Sequence, residues 1–258
     1  MIECIHGLDL ALCDLCAPRK KVDPQDAPVA PRRRVASRKP ASLRSSPTSP
    51  AVPTSTGPDF STLRVHHWTH VSNLARILAD GKLVAGSAPE LDVSSTATRD
   101  RRADVTVPSG ATVSEHVSFA LSPHASTWDE VRTGADGEAW SDAARKTRAT
   151  DYVVLVIPVT ALPDELVVVD VDSSQAVARF GTGHEEGGSL VRRASLADPF
   201  LLEVEVLVPV SVDLEHVSLI GVPNDKMRDQ VKTLLQAAGG VSPRIAIYPP
   251  WFRPTEID

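Results

Sequence analysis

The chain has 258 residues, 42% of them hydrophobic and 23% charged, enough apolar material for one substantial core with room for a small extra module. No run of about 18 apolar residues is present to span a bilayer, and the first residues lack the apolar core of a secretory signal, so a cytoplasmic protein is expected. The formal charge of −6 is divided unevenly: residues 1–58 hold nine Lys/Arg against five Asp/Glu, and the remaining 200 hold 18 against 28. An acidic body argues against tight nonspecific duplex binding, which draws on phosphate neutralisation, so any nucleic acid has to be held locally.

All three cysteines fall within the first sixteen residues, where they cannot form a disulfide framework and suit a reducing compartment. Cys4-Ile5-His6 and Cys13-Asp14-Leu15-Cys16 supply one Cys-x-His and one Cys-x-x-Cys pair. Four thiolate or imidazole ligands fit tetrahedral zinc, and a site closed by Cys4, His6, Cys13 and Cys16 has no open position, so it is structural rather than catalytic. The alternative is a leader with free thiols. From Lys20 to Pro58 the chain is dominated by Pro, Ser, Arg and Ala without apolar periodicity, a composition that cannot bury enough surface to offset its ordering entropy. Its arginines are either a weak phosphate tether or part of a solvated spacer. The expected organisation is a zinc-binding module over 1–19, a disordered linker over 20–58 and one folded domain over 59–258.

Leu63 to His70 alternates, with Leu63, Val65 and His67 on one side and Arg64, His66 and Trp68 on the other, which predicts a strand. Val71, Leu74, Ala75 and Leu78 then follow helical spacing, with Thr69 placed to cap the helix and Gly81 to end it. Past Leu83-Val84-Ala85-Gly86, a polar loop segment reaches the basic cluster Arg99-Asp100-Arg101-Arg102. Val117, Phe119 and Leu121 mark one face of a further strand, and Trp128 beyond it either stacks on a ligand ring or packs in the core.

Tyr152 to Val159 is continuously apolar, the pattern of a central strand buried on both faces, and Glu165 to Val171 repeats it. Gly181-Thr182-Gly183-His184-Glu185-Glu186-Gly187-Gly188 carries two glutamates and no helix-opening pattern, so it is expected to be a mobile loop and a candidate for substrate contact. From Phe200 to Pro209 one long strand is expected, with Leu201, Glu203, Glu205 and Leu207 on one face. Two carboxylates on an apolar strand need solvent or a ligand, so this face should line a cleft. A last helix, capped by Asn224 and stopped by Gly239-Gly240, presents Met227, Val231, Leu234, Leu235 and Ala238. The segment Arg244 to Phe252 is apolar enough to dock on the body or on a partner.

Three of these stretches, in this order, carry a family resemblance that spans about residues 63 to 222. His67-Trp68-Thr69-His70-Val71-Ser72-Asn73-Leu74 resembles the H-x-T-H-x-x-N-L pattern that opens the ADP-ribosyltransferase fold of DarT-like toxins, which ADP-ribosylate bases in DNA. Glu115 to Pro123 is similar to the family's V-P-F-Y-F-x-P segment, with Ala120 in place of the tyrosine and without the Arg-Ser-Pro-Met-Leu-Tyr continuation. Glu203-Val204-Glu205 resembles the E-x-E signature, and Val204 to Pro209 resembles A-E-V-L-V-P. The resemblance implies an α+β fold with a split β-sheet core and flanking helices, and transfer of ADP-ribose from NAD to a nucleic-acid base, with single-stranded DNA the expected acceptor. It also implies a bacterial toxin or phage-defence effector, reversed by a macrodomain antitoxin.

By the same resemblance, His67 and Thr69 hold the nicotinamide-ribose side of NAD, with Asn73 in the same cofactor-binding set. An arginine of the 99–102 cluster, Arg102 in preference to Arg99 or Arg101, contacts NAD phosphate and helps catalysis. Glu205 is the catalytic carboxylate and Glu203 supports it. Modification of RNA or protein is the nearest alternative, since E-x-E also occurs in protein-modifying relatives. From another class, the alternative is a noncatalytic zinc-dependent binding module on a β-rich scaffold.

Overall fold

In the computed structural model, which describes residues 57–254 except 174, 176, 241 and 242, the alternating stretch after Leu63 is strand β1 (Arg64–His70). It runs without a break into helix α1 (Val71–Asp80). The expected zinc ligands Cys4, His6, Cys13 and Cys16, and nearly all of the expected linker, lie outside the described residues. The junction differs in one detail from the sequence expectation. Thr69 is a buried strand residue, and His70 caps α1, its ring Nδ1 accepting from the Ser72 N–H at 3.3 Å. The strand simply continues one residue further, so the first side chain able to reach back to an orphan helix N–H is the imidazole. At the other end Gly81, at φ 67°, closes the helix in the left-handed conformation that a side chain disfavours.

β2 (Lys82–Val84) and β8 (Ser211–Asp213) form a small two-stranded ladder. The main sheet has eight strands in the order β10-β9-β4-β1-β3-β7-β5-β6, with β3 His116–Ala120, β4 Tyr152–Pro158, β5 Val167–Val169, β6 Phe180–Thr182, β7 Glu205–Pro209, β9 Leu219–Val222 and β10 Arg244–Ile247. The apolar run predicted to be central is central: β4 lies between β1 and β9, and Tyr152 through Ile157 are all buried. Its residues alternate between two cores. Val153, Leu155 and Ile157 pack with Leu74, Leu190, Met227 and Val231 of α1, α4 (Gly183–Ala197) and α5 (Asp225–Ala238), while Tyr152, Val154 and Val156 pack with Trp128 and Phe252.

Two sequence expectations fail here, for packing reasons. The glycine-rich 181–188 stretch is not a loop: α4 starts at Gly183, and Gly187 and Gly188 are buried on its inner face. A Cβ at Gly187 would stand 2.6 Å from Val168 Cγ2, so glycine is present because α4 lies directly on β5. Likewise the basic 99–102 cluster sits in helix α2 (Thr96–Asp104), capped by the Ser95 hydroxyl, rather than in a loop. α5 has the predicted Asn224 cap and Gly239 stop. The Arg244 to Phe252 segment docks on the body, as β10 pairs in parallel with β9 and the following turn buries Phe252.

Candidate active site

The cleft begins where the sheet splits. β1 and β3 share one register pair, His66 with Ala120, whereas β1 pairs with β4 along seven residues. Toward His70 on one strand and His116 on the other the ladder lapses, and side chains bridge instead. His67 Nδ1 lies 3.0 Å from the Ser118 carbonyl oxygen. A carbonyl only accepts, so Nδ1 carries the proton. Burial pushes the His67 pKa below its ordinary value, with the Ser118 hydrogen bond opposing, so the ring is neutral and its Nε2 remains an acceptor.

Arg102 enters the split from α2. Its Nη2 donates to the Ser118 hydroxyl and its Nη1 lies 3.5 Å from Glu205 Oε1. Both side chains are largely enclosed, at 20% exposure for Arg102 and 13% for Glu205. The other carboxylate oxygen, Glu205 Oε2, accepts from the Ser173 N–H at 3.3 Å. Of the three arginines, Arg102 is the one that reaches Glu205. Arg99 is engaged by Asp92 and the Ser94 carbonyl, both at 2.7 Å, and Arg101 reaches Thr98 on its own helix.

Glu205 is the first residue of β7, between Ala120 of β3 and Val169 of β5. The long strand expected from Phe200 is not formed. Residues 200–204 make a turn in which both Asp198 carboxylate oxygens accept backbone N–H groups, from Phe200 at 2.9 Å and from Leu202 at 2.5 Å. Leu201 takes a positive φ of 53° and is buried, while Phe200 is 75% exposed. The turn breaks the alternation, so Glu203 is exposed at the rim and does not share a strand face with Glu205.

Thr69 and Asn73 lie together at the far end. Asn73 Nδ2 donates to Thr69 Oγ1 at 3.2 Å and to the Leu91 carbonyl at 2.9 Å, and its Oδ1 accepts from Leu91 N–H at 2.8 Å. This buried amide therefore pins the 85–93 segment over α1 rather than presenting free polar atoms.

Two cavities meet at this point, sharing His67, Trp68, Val93, Ser94, Arg102 and Ser118. One, of about 370 Å³, is walled by Thr69, Asn73, Arg76, Arg99 and the 85–93 segment. The other, of about 360 Å³, is walled by Trp68, Trp128, Trp140, Tyr152, Glu203 and Glu205. Trp128, on helix α3 (Ser126–Arg132), is core more than ligand platform: it is 3% exposed, stacks on Trp68 at 5.4 Å and donates its N–H to the Trp251 carbonyl. Two buried polar atoms near the site, Trp68 Nε1 and Ser173 Oγ, have no hydrogen-bond partner among the described residues. Sequence reasoning missed Ser118, whose only signal is a hydroxyl between the apolar Val117 and Phe119, and Ser173, for which no signal exists.

Among the described residues no helix is long and apolar enough to cross a membrane, and no group of three or more His, Cys, Asp or Glu is placed to hold a metal ion.

The architecture recurs in solved structures. Thermus sp. 2.9 DarT in complex with ADP-ribosylated ssDNA superposes with a TM-score of 0.64 at 22% identity, covering 76% of this chain and 98% of that one. The same protein in complex with NAD+ gives 0.61 at 24% identity, covering 76% and 100%. Thermosipho africanus DarTG in complex with ADP-ribose gives 0.58 at 14% identity, covering 74% of this chain and 51% of that one. These likenesses carry the fold. No curated protein sequence matches the chain. The family described as "ssDNA thymidine ADP-ribosyltransferase, DarT" matches residues 66–190 and 203–253, which hold the split strands, the Arg102 helix and Glu205. Since that match spans more than half of the sequence, the chain belongs to the DarT family and is an ADP-ribosyltransferase.

Proposed function

We propose that this chain transfers ADP-ribose from NAD to thymidine in single-stranded DNA, with Glu205 as the catalytic carboxylate. The observation that carries the reading is the meeting of His67, Ser118, Arg102 and Glu205 where two cavities join. NAD fits the arginine-bearing cavity, with Arg102 beside the pyrophosphate and His67 and Thr69 orienting the nicotinamide ribose. Asn73 acts there by holding Thr69 and the 85–93 segment.

In the reaction the bond between nicotinamide nitrogen and ribose C1′ breaks, and its electron pair neutralises the departing pyridinium. Positive charge develops on the ribose, and the Glu205 carboxylate stabilises it more than it stabilises bound NAD. A thymine ring nitrogen then bonds to C1′. In the nucleoside N3 is the ring nitrogen that still bears a proton, and Glu205 accepts that proton as the bond forms. The Ser173 N–H and Arg102 on its two oxygens hold the carboxylate in its orientation.

Thermus sp. 2.9 DarT is solved in complex with NAD+ and with ADP-ribosylated ssDNA, which supports this choice of donor and acceptor. Incubation with labelled NAD and single-stranded DNA, duplex DNA, RNA or protein tests it, with label expected on thymidine-containing single strands. Label on RNA or on protein alone would overturn the acceptor. The wider role proposed is a cytoplasmic toxin, acting in phage defence and reversed by a macrodomain antitoxin. The zinc set Cys4, His6, Cys13 and Cys16 stays part of the proposal, tested by metal content of the full chain, where about one equivalent is expected.

A further inference from the structure

We propose that Trp140 is the stacking platform for an unpaired nucleobase of the DNA acceptor, inside the aromatic cavity next to Glu205. This inference rests on the transfer to single-stranded DNA proposed above.

The aromatic residues of that cavity fall into two groups. Trp68 lies between His66 and Trp128, with ring centroids 5.8 and 5.4 Å away. Tyr152 is 2% exposed, meets His70 and Trp128 edge-on, and shares a hydrogen bond with Thr147. These rings pack against one another or against a neighbouring histidine. Trp140 is different: it packs against the edge of that cluster but stays partly exposed, it lines the cavity, and it makes no ring contact with another aromatic among the described residues.

Its position is nevertheless fixed. The indole N–H donates to Glu130 Oε2 at 2.7 Å. Its backbone bridges to Ser94, and its neighbours are sewn to the same segment: Ser95 N–H and the Thr98 hydroxyl both donate to the Ala139 carbonyl, and Ser141 N–H donates to the Val93 carbonyl. That segment leads into α2, the helix that carries Arg102. Trp140 is thereby held in a set relation to the reacting carboxylate, which is what a platform needs if it is to bind without losing rotamer entropy.

The chemistry of the ligand follows from the division of the cleft. Arg102 lines both cavities, whereas Arg76, Lys82 and Arg99 line only the other one, beside Asp80, Glu90 and Asp92, so most of the cations suited to a dinucleotide with its pyrophosphate stand there. Glu130, Asp172, Glu203 and Glu205 line this one against Arg102, an excess of carboxylates that disfavours phosphate and leaves an uncharged planar ring as the group to be gripped. An unpaired base offers a bare π face, whereas a base in a duplex has both faces covered by its neighbours. A single aromatic platform of this kind favours single strands and tolerates sequence.

The test compares the parent with Trp140→Ala and Trp140→Phe in the full chain. Oligonucleotide Kd is measured by anisotropy on a thymidine-containing single strand, NAD Kd is measured separately, and thermal midpoints check folding. Base stacking on an aromatic side chain corresponds to about 5- to 150-fold in Kd. A loss in that range for Trp140→Ala, with NAD affinity retained and most of the binding recovered by Trp140→Phe, supports the proposal. Replacing each nucleotide in turn by an abasic one should weaken the parent at one position that no longer matters in Trp140→Ala.

Unchanged oligonucleotide affinity in Trp140→Ala would overturn the platform. Equal losses of NAD and oligonucleotide affinity would also overturn it, by making Trp140 a packing residue. A parent that binds NAD but no single strand would instead remove the DNA reading itself.

Discussion

β1 and β7 carry the two halves of the cleft and are built in opposite ways. β1 is paired with β4 over its full seven residues, runs directly into a capped helix, and presents His67 and Thr69 from positions set by an unbroken ladder. β7 begins at Glu205, the carboxylate proposed as catalytic, after a turn with a positive-φ leucine and an exposed phenylalanine. The binding side is thus preformed by local structure. The chemical side is assembled from parts distant in sequence, Arg102 on α2, Ser173 after β5 and Glu205 on β7, none of which sets the position of the others alone. Substitutions on β1 should therefore change affinity and stability together, whereas substitutions around β7 should change the rate with little change in folding.

The largest expected effect is on the β7 side. Glu205→Gln keeps the shape of the group and removes the charge beneath the developing oxocarbenium, so transfer should fall at least about a hundredfold, about 3 kcal/mol of barrier. NAD affinity and the thermal midpoint should stay near those of the parent. Parent-like turnover in this variant would remove the catalytic assignment.

On the β1 side, His66 offers a test of the preformed wall through pH. Burial lowers its pKa to about 4, against the opposing hydrogen bond to the Ala120 carbonyl. Between about 6.5 and 4 the unfolded chain takes up a proton there that the folded chain does not, so stability falls as pH falls through this window and is unaffected above it. The loss at the acid end reaches about 3 kcal/mol. His67 and His70, also lowered by burial, act in the same direction. Urea midpoints at pH 7 and pH 4.5 measure it, and His66→Phe should flatten the difference. A parent equally stable at both values would contradict the picture.

Smaller again is Asn73→Ala, which leaves the Leu91 N–H and carbonyl without their partner. A cost of about 1–3 kcal/mol in stability is expected, with KM for NAD raised more than kcat is lowered. A change in kcat alone would move Asn73 to the chemical side of the comparison. The smallest effect is expected for Glu203→Gln. Because the turn places this side chain on the rim, transfer should change by no more than about twofold. A loss approaching that of Glu205→Gln would mean that the turn reorders when substrate binds.

Much of this was legible without the fold. Alternation located β1, a continuous apolar run located β4, helical spacing with Gly81 and Asn224 located α1 and α5, and short motifs singled out His67, Thr69 and Glu205, because faces and caps are properties of neighbouring residues. Where the reading failed, a residue was doing something that depends on a distant surface. Gly187 looks like a helix breaker until Val168 is seen beneath it, and Glu203 looks like a strand partner of Glu205 until Asp198 is seen tying the turn.

The sequence by itself therefore determined β1, β4, α1 and α5, the family resemblance and the residue types available for the chemistry. Only the tertiary structure decided which arginine meets Glu205, 103 residues away, that Ser118 joins Arg102 to His67, and that the lapse of the β1–β3 ladder opens the cleft. The physical reason is that periodicity records whether a side chain is buried, and that information is local. Which group it meets there depends on how strands are ordered across the sheet, and no stretch of the chain carries that order alone.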